Sequence, residues 1–260
     1  MVEKFIYNKL PRGRKIVVDL LTMIAPGAVA CHLVRDIDMS RANQIKADLA
    51  EKGSKITVTA ILMKAIALAQ KAHPASRSEI LPFGRVVTYE DIVAGFTVER
   101  NEDGQDTVFF GEIERPDVKS LADIARELAE CARRNISDLP PFAQQKMYSG
   151  FPYLLRRIIL FLGNTVPFLR LKCQKATFGL TSLGKYNISC VFSPCVCTST
   201  FGVGTIESRP VVEQGRIVVR PAMTLSLSYN ANAIDTRAAA SFLDDVCAVM
   251  EGRIPGLIAD

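Results

Sequence analysis

The 260-residue chain contains no tryptophan, and aromatic side chains make up only 7% of it. That leaves too few flat rings for a surface on which nucleobases stack. Basic residues are scattered and exceed acidic ones only enough for a net charge of +5, so nucleic acid is not an expected partner. No run of about 18 apolar residues is present, which excludes a membrane-spanning helix by length. The opening MVEKFIYNKLPRGRK lacks the apolar core of an export signal. Histidine, the usual acid–base and metal-binding side chain, occurs only twice, as His32 and His73. No internal repeat or low-complexity linker divides the chain.

Cysteine is present in an odd number, seven, at Cys31, Cys131, Cys173, Cys190, Cys195, Cys197 and Cys247. Without an export signal, the expectation is reduced thiols in a cytoplasmic protein. Cys195 and Cys197 have C-x-C spacing, which zinc sites use. The same spacing puts two residues on one face of a strand, and only two histidines could complete a metal set. No metal site is assigned.

Helical and extended patterns alternate along the rest. RKIVVDLLTMI, opening residues 14–35, has helical spacing, and CHLVRDIDM follows as a strand. Ser40 is placed to cap a helix over RANQIKADLAEKG, which Gly53 closes. TVTAILMKAIALAQKAH is apolar nearly all round and predicts a buried helix ending at His73. His32 falls on a strand as a satisfied core or interface residue. VVTYEDIVAGFTVE reads as a strand, followed by a turn at Asp103-Gly104 and the strand DTVFFGEI. Ser120 caps LADIARELAECARR. KATFGLTSLG, TSTFGVGTIE and RIVVRPAMTLSLSY read as three more strands, and AAASFLDDVCAVMEG as a final helix. Strict βαβ regularity is missing. The expected fold is therefore a two-layer α/β sandwich, a mixed sheet covered by helices, over residues 1–260 as a single domain.

One loop poses the functional question. After L-S-L-S-Y comes Asn230-Ala231-Asn232-Ala233-Ile234-Asp235, between a strand and a helix, where a catalytic loop can lie. Its first four residues offer no acid, base or nucleophile. GTIESRPVVEQGRIVVRPAMTLSLSYNANAID, together with PRGRKIV, RDIDMSRANQIKADLAEKGSKITVTAILMKAIALAQKAHP and ATFGLTSLG, resembles the catalytic domain of the dihydrolipoamide acyltransferases of 2-oxo acid dehydrogenase complexes. That family shares its fold with chloramphenicol acetyltransferase. The resemblance spans most of the chain and implies that fold, as a homotrimer with active sites between subunits. In the family, L-S-L-S-Y/F is followed by D-H-R-V-x-D-G. Here Asn230, Ala231 and Asn232 stand where the first Asp, the His and the Arg would be, Asp235 keeps the second acid, and Thr236 replaces the Gly.

The missing histidine is the family's general base, a role worth about 10²–10⁴-fold. By the same resemblance, Thr181 is the hydroxyl that hydrogen-bonds the tetrahedral oxyanion. Asp235 is the acid that ties the loop to Arg14, Asn230 and Asn232 support the loop, and Ser182 and Tyr229 line the substrate channel. Read without the resemblance, Thr181 is a β-branched strand residue and Asp235 a helix N-cap. Ala231 has two explanations: a natural pseudoenzyme that binds coenzyme A or a carrier as a scaffold, or a His→Ala replacement in an otherwise intact site. Retention of the hydroxyl, the acid and the arginine favours the replacement. The implied reaction takes an acyl group from acyl-coenzyme A, or from a phosphopantetheine thioester on an acyl carrier protein. The acceptor is a hydroxyl, amine or thiol on a small or lipid-like molecule, with thioester condensation as a weaker alternative. No permanently bound cofactor is implied.

Two features depart from the family. No lipoyl or subunit-binding segment precedes the fold, which points to a stand-alone enzyme, and the ending RIPGLIAD favours a trimer over a cage. Residues 138–172, DLPPFAQQKMYSGFPYLLRRIILFLGNTVPFLRLK, replace a short polar connection with a long apolar one containing Arg156, Arg157, Arg170 and Lys172. Packing on its own core or on a neighbour is the default use. A peripheral membrane contact through 150–172 and a lid over long acyl chains are the alternatives.

Overall fold

The alternation L-S-L-S-Y becomes part of the second strand of a six-stranded sheet in a computed structural model, which describes residues 10–23, 27–81, 84–102, 105–173 and 175–257. The chain runs α1 (Arg12–Met23), β1 (Ala30–Asp38), α2 (Ser40–Glu51), α3 (Val58–Ala72), β2 (Ser78–Leu81), β3 (Arg85–Thr88), β4 (Val93–Glu102) and β5 (Gln105–Glu114). It continues through α4 (Leu121–Arg133), α5 (Pro140–Gly150), α6 (Tyr153–Thr165), α7 (Pro167–Cys173), β6 (Phe178–Ser182), β7 (Ser199–Glu213), β8 (Arg216–Asn230) and α8 (Thr236–Met250). The sheet order is β1-β8-β7-β6-β4-β5, with β6 parallel to both its neighbours and the other pairs antiparallel. It is the mixed, helix-covered sheet that the sequence implies.

Period-two alternation decides the two faces. Leu225, Leu227 and Tyr229 of β8 join Phe201 of β7 and Phe178 and Leu180 of β6 beneath α2, α3, α4 and α8. Ser226 and Ser228 point to the opposite face. The helix α3 forms the middle of the helical layer, and ten of its fifteen residues are buried. Thr57 caps it by accepting the Ala60 N–H at 3.2 Å, and His73 ends it as expected. Lys64, an ammonium sealed into this layer, donates to the carbonyl oxygens of Asp117 and Lys119 at 2.8 Å each. Burial holds its pKa below the usual lysine range.

Several elements differ from the sequence reading. Ser40 is the first residue of α2 rather than its cap; the Asp38 carboxylate accepts the Ser40 N–H at 2.7 Å and starts the helix instead. Gly53 does close α2, at φ +82, with its N–H on the Ala50 carbonyl and the Ser54 N–H on that of Leu49. VVTYEDIVAGFTVE is two strands: β3 pairs with β2 in a separate small sheet, and β4 enters the main one. Tyr89 ends β3, its N–H bonded to the Arg77 carbonyl. The turn at Asp103-Gly104 lies outside the described residues. Strand β7 runs on through 208–213, because Gln214 and Gly215, both at positive φ, form the two-residue turn that keeps it paired with β8. Cys195 and Cys197 lie on an irregular segment rather than a strand, and Pro194 denies that segment a ladder donor. The segment crosses the polar face of the sheet, where the Val191 carbonyl accepts the Ser226 hydroxyl.

Residues 138–172 fold into three helices whose breaks fall at Pro140, Pro152 and Pro167. Phe142 of α5 stacks on Phe109 of β5 at 5.2 Å. Arg156 of α6, 5% exposed, donates to Asp19 of α1, 1% exposed, at 2.8 Å, and the Tyr148 hydroxyl donates to the same carboxylate at 3.2 Å. Arg170 of α7 donates to Glu79 of β2 at 2.9 Å. These two ion pairs fasten the segment to the body.

Removing Arg156 strands a buried carboxylate. Arg156→Ala is expected to cost roughly 3–5 kcal/mol in urea unfolding. Amide protection should be lost across α6 before the β7–β8 ladder loosens. Loss below about 1 kcal/mol would show that the pair is not sealed from water.

Candidate active site

The loop after β8 is held by its own short polar side chains. Asn230 Oδ1 accepts the N–H groups of Val29 at 3.2 Å and Asn232 at 3.1 Å, and the Ala231 N–H continues the ladder to the Val29 carbonyl at 2.8 Å. Ala233 and Ile234 both donate back to the Asn230 carbonyl, which closes the turn. Asp235 then caps α8 by accepting the Ala238 N–H at 2.9 Å. Ile234 is buried, Asn232 and Asp235 are exposed, and Ala231 is half-buried against the edge of the core. The loop is closed by these hydrogen bonds and has no proton acceptor of useful basicity at its centre.

Sheet register fixes where Thr181 lies relative to it. Thr181 pairs with Gly202, and Gly202 with Ser226, so Thr181 sits two strands from β8 in the Ser226 row. Ala231 is five residues further along. Two strand spacings of about 4.8 Å and five rises of about 3.3 Å put the two positions roughly 19 Å apart. No single reacting group can touch both within one chain. Thr181 is half-buried, and Ser182 is exposed at the strand end.

Arg14 and Asp235 form no ion pair within the chain. Helix α1 packs against β5, α5 and α6, on the far edge of the sheet from the β8 loop. Four strand spacings, roughly 19 Å, separate β5 from β8. Tyr229 lines no channel either: it is 2% exposed in the helix-side core, and its hydroxyl donates to Thr236 Oγ1 at 2.8 Å. The L-S-L-S-Y alternation contained that answer, because Tyr229 must share a face with Leu225 and Leu227.

His73 Nε2 meets Asp245 Oδ2 at 2.7 Å, with its ring against Phe242, a structural pairing of α3 with α8. His32 is exposed rather than core, with Nδ1 at 2.9 Å from the Ser228 hydroxyl and its ring beside Phe192. The sequence reading missed this pairing of β1 with the second serine of L-S-L-S; the signal was the serine alternation. Burial pushes the Cys195 thiol up to about 11 and that of Cys197 up to about 12. Neither is a thiolate at neutral pH, so neither is a nucleophile. Among the described residues no three His, Cys, Asp or Glu side chains converge as a metal site.

The family described as 2-oxoacid dehydrogenases acyltransferase (catalytic domain) matches residues 4–138 and 170–257 and omits the stretch between. The chain is 29% identical over 213 residues to the dihydrolipoyllysine-residue acetyltransferase component of the Azotobacter vinelandii pyruvate dehydrogenase complex, covering 80% of this chain and 28% of that one. Its fold is similar to the cubic core of the pyruvate dehydrogenase multienzyme complex, with TM-score 0.72 at 21% identity over 96% of this chain and 93% of the other. It is equally similar (TM-score 0.72, 22% identity, 96% and 93% covered) to an A. vinelandii dihydrolipoamide acetyltransferase studied for the catalytic roles of a serine, a histidine and an asparagine. The chain spans less than half the length of the curated relatives it matches.

Two outcomes test the site geometry. Asp235→Ala should cost about 1 kcal/mol in thermal unfolding, whereas Asp235→Asn, which also caps helices, should stay within a few tenths. Equal loss in both would mean that the carboxylate has an ionic partner. Raised thiol pKa values stabilise the fold fully below the ordinary thiol value of about 8.5, and that stability is lost as pH rises through 11–12. A chromogenic disulfide reagent at pH 7.5 should therefore label Cys195 and Cys197 only after denaturation.

Proposed function

Because the chain belongs to the catalytic-domain family of the 2-oxoacid dehydrogenase acyltransferases, we propose that it moves an acyl group from a thioester donor at a site completed by two copies of the chain. The observation that carries this reading is the separation of two preserved half-sites. One chain offers a built loop at 230–235, and a neighbour offers the hydroxyl of Thr181, roughly 19 Å away within any one copy. A homotrimer would bring such halves together. The multienzyme cubic core with the same fold supports assembly of this kind.

In this mechanism the acceptor thiol, hydroxyl or amine loses its proton to a base at position 231. Its lone pair attacks the thioester carbonyl, and the carbonyl π electrons move onto oxygen. Thr181 of the neighbouring copy donates a hydrogen bond to that oxyanion. Collapse re-forms the carbonyl, breaks the carbon–sulfur bond and expels the donor thiolate, which takes up the proton. The donor we favour is acyl-coenzyme A or a phosphopantetheine thioester on a carrier protein, and the acceptor a small or lipid-like molecule. A cytoplasmic setting suits the free cysteines among the described residues. Ala231 supplies no base. Retention of the Thr181 hydroxyl and the Asp235 carboxyl supports a His→Ala replacement rather than decay of the site.

Ala231→His is the direct test. Thiol release from acyl-coenzyme A donors, measured with acceptor thiols, should rise about 10²–10⁴-fold over the chain with Ala231. Adding Thr181→Ala to that variant should lower the gain about 10²–10³-fold. Bound donor without turnover in either form would favour a scaffold that holds coenzyme A.

A further inference from the structure

Helix α6 turns one of its two arginines inward and its apolar side chains to solvent. Arg156 is its buried residue, paired with Asp19. Leu154, Ile158 and Phe161, spaced i, i+4 and i+7 on one face, are 73%, 53% and 58% exposed. Leu162 and, from α7, Phe168 extend the same exposed apolar surface. A helix of this polarity on the outside of a protein needs a cover. Nothing in the family's shared fold demands it, because the family match omits residues 139–169.

Charge identifies the cover. Residues 139–172 contain five basic side chains and no acidic one. The chain has 32 basic and 27 acidic residues, so the remainder holds 27 of each; Arg156 and Arg170 are engaged by Asp19 and Glu79 of that remainder, and Arg157 and Lys172 are the cations at the rim of the face. At its edges Arg157 lies over the Tyr153 ring at 5.3 Å, and Lys172 over the Phe168 ring at 4.5 Å. Each is a cation on an aromatic rim, the arrangement that spans an interface between apolar and wet layers. No helix among the described residues is long and apolar enough to cross a membrane.

We infer that the α6–α7 face docks on an anionic lipid surface, with its apolar side chains in the headgroup–acyl boundary and Arg157 and Lys172 at phosphate level. A second copy of the chain fits less well, since a symmetric contact would set this acid-free basic segment against itself. The ion pairs of Arg156 with Asp19 and Arg170 with Glu79 hold the face outward from the body. This inference is independent of the acyl-transfer reading.

The test is sedimentation of the full chain with vesicles of phosphatidylcholine alone or mixed with phosphatidylglycerol. Binding should appear on the anionic vesicles and fall with salt. The variant Leu154→Ser/Ile158→Ser/Phe161→Ser should lose it. The surface variant Arg157→Gln/Lys172→Gln should bind roughly 30-fold more weakly at unchanged circular dichroism and mass. Failure of the chain to bind anionic vesicles overturns the proposal, as does unchanged binding by either variant. If the chain ignores vesicles and the triple variant alters oligomeric mass, the face is a contact between copies instead.

Discussion

The register of β8 against β7 is the constraint on which the rest depends. Fifteen-residue strands pair from Ser199↔Tyr229 to Glu213↔Arg216, interrupted by one irregularity between Val203 and Ile206. That pairing sets Leu225, Leu227 and Tyr229 under the helices, and a slip of one residue would send them to the polar face. It also fixes the loop at 230–235 at one end of β8 and Thr181 in the Ser226 row. Core and loop are thus positioned by this ladder, and the β6–β7 ladder adds Thr181 to the same register. Together the ladders keep the loop and Thr181 apart.

The structural integrity of this loop does not depend on the side chain at position 231. Asn230 satisfies the backbone on both sides of the turn, Ile234 fills the core, and Asp235 caps α8. None of these roles requires a side chain at position 231 beyond a methyl group. A base can therefore be absent there without unravelling the loop, and adding one need not rebuild it. The same independence explains how Asp235 keeps a structural purpose without an arginine beside it.

Much of this was legible in the chain, because periodicity reports local burial. The all-round apolar run of α3, the alternation in β8 and the caps at Ser120, Asp235 and Gly53 are properties of a few adjacent residues. What could not be read depends on partners distant in sequence. The period of α6 marks an apolar face but not whether it points in; Asp19, 137 positions away, decides that by drawing Arg156 inward. Arg14 was matched to Asp235 by motif order, yet sheet width separates them. Ser40 lost its capping role to Asp38, which motif spacing alone could not rank. Motif position puts Tyr229 at a channel, whereas its side-chain period puts it in the core, and the period prevails.

The central claim is that one catalytic site draws on two chains, and complementation between disarmed chains tests it most directly. The chain with Ala231 lacks the base but keeps Thr181; the variant Ala231→His/Thr181→Ala has the base and lacks the hydroxyl. Each should be feeble alone in acyl-coenzyme A turnover. Unfolded together and refolded as a mixture, they should regain turnover, because some interfaces then pair an intact loop with an intact Thr181. A mixture that forms mixed oligomers yet performs no better than its separate components would contradict the account.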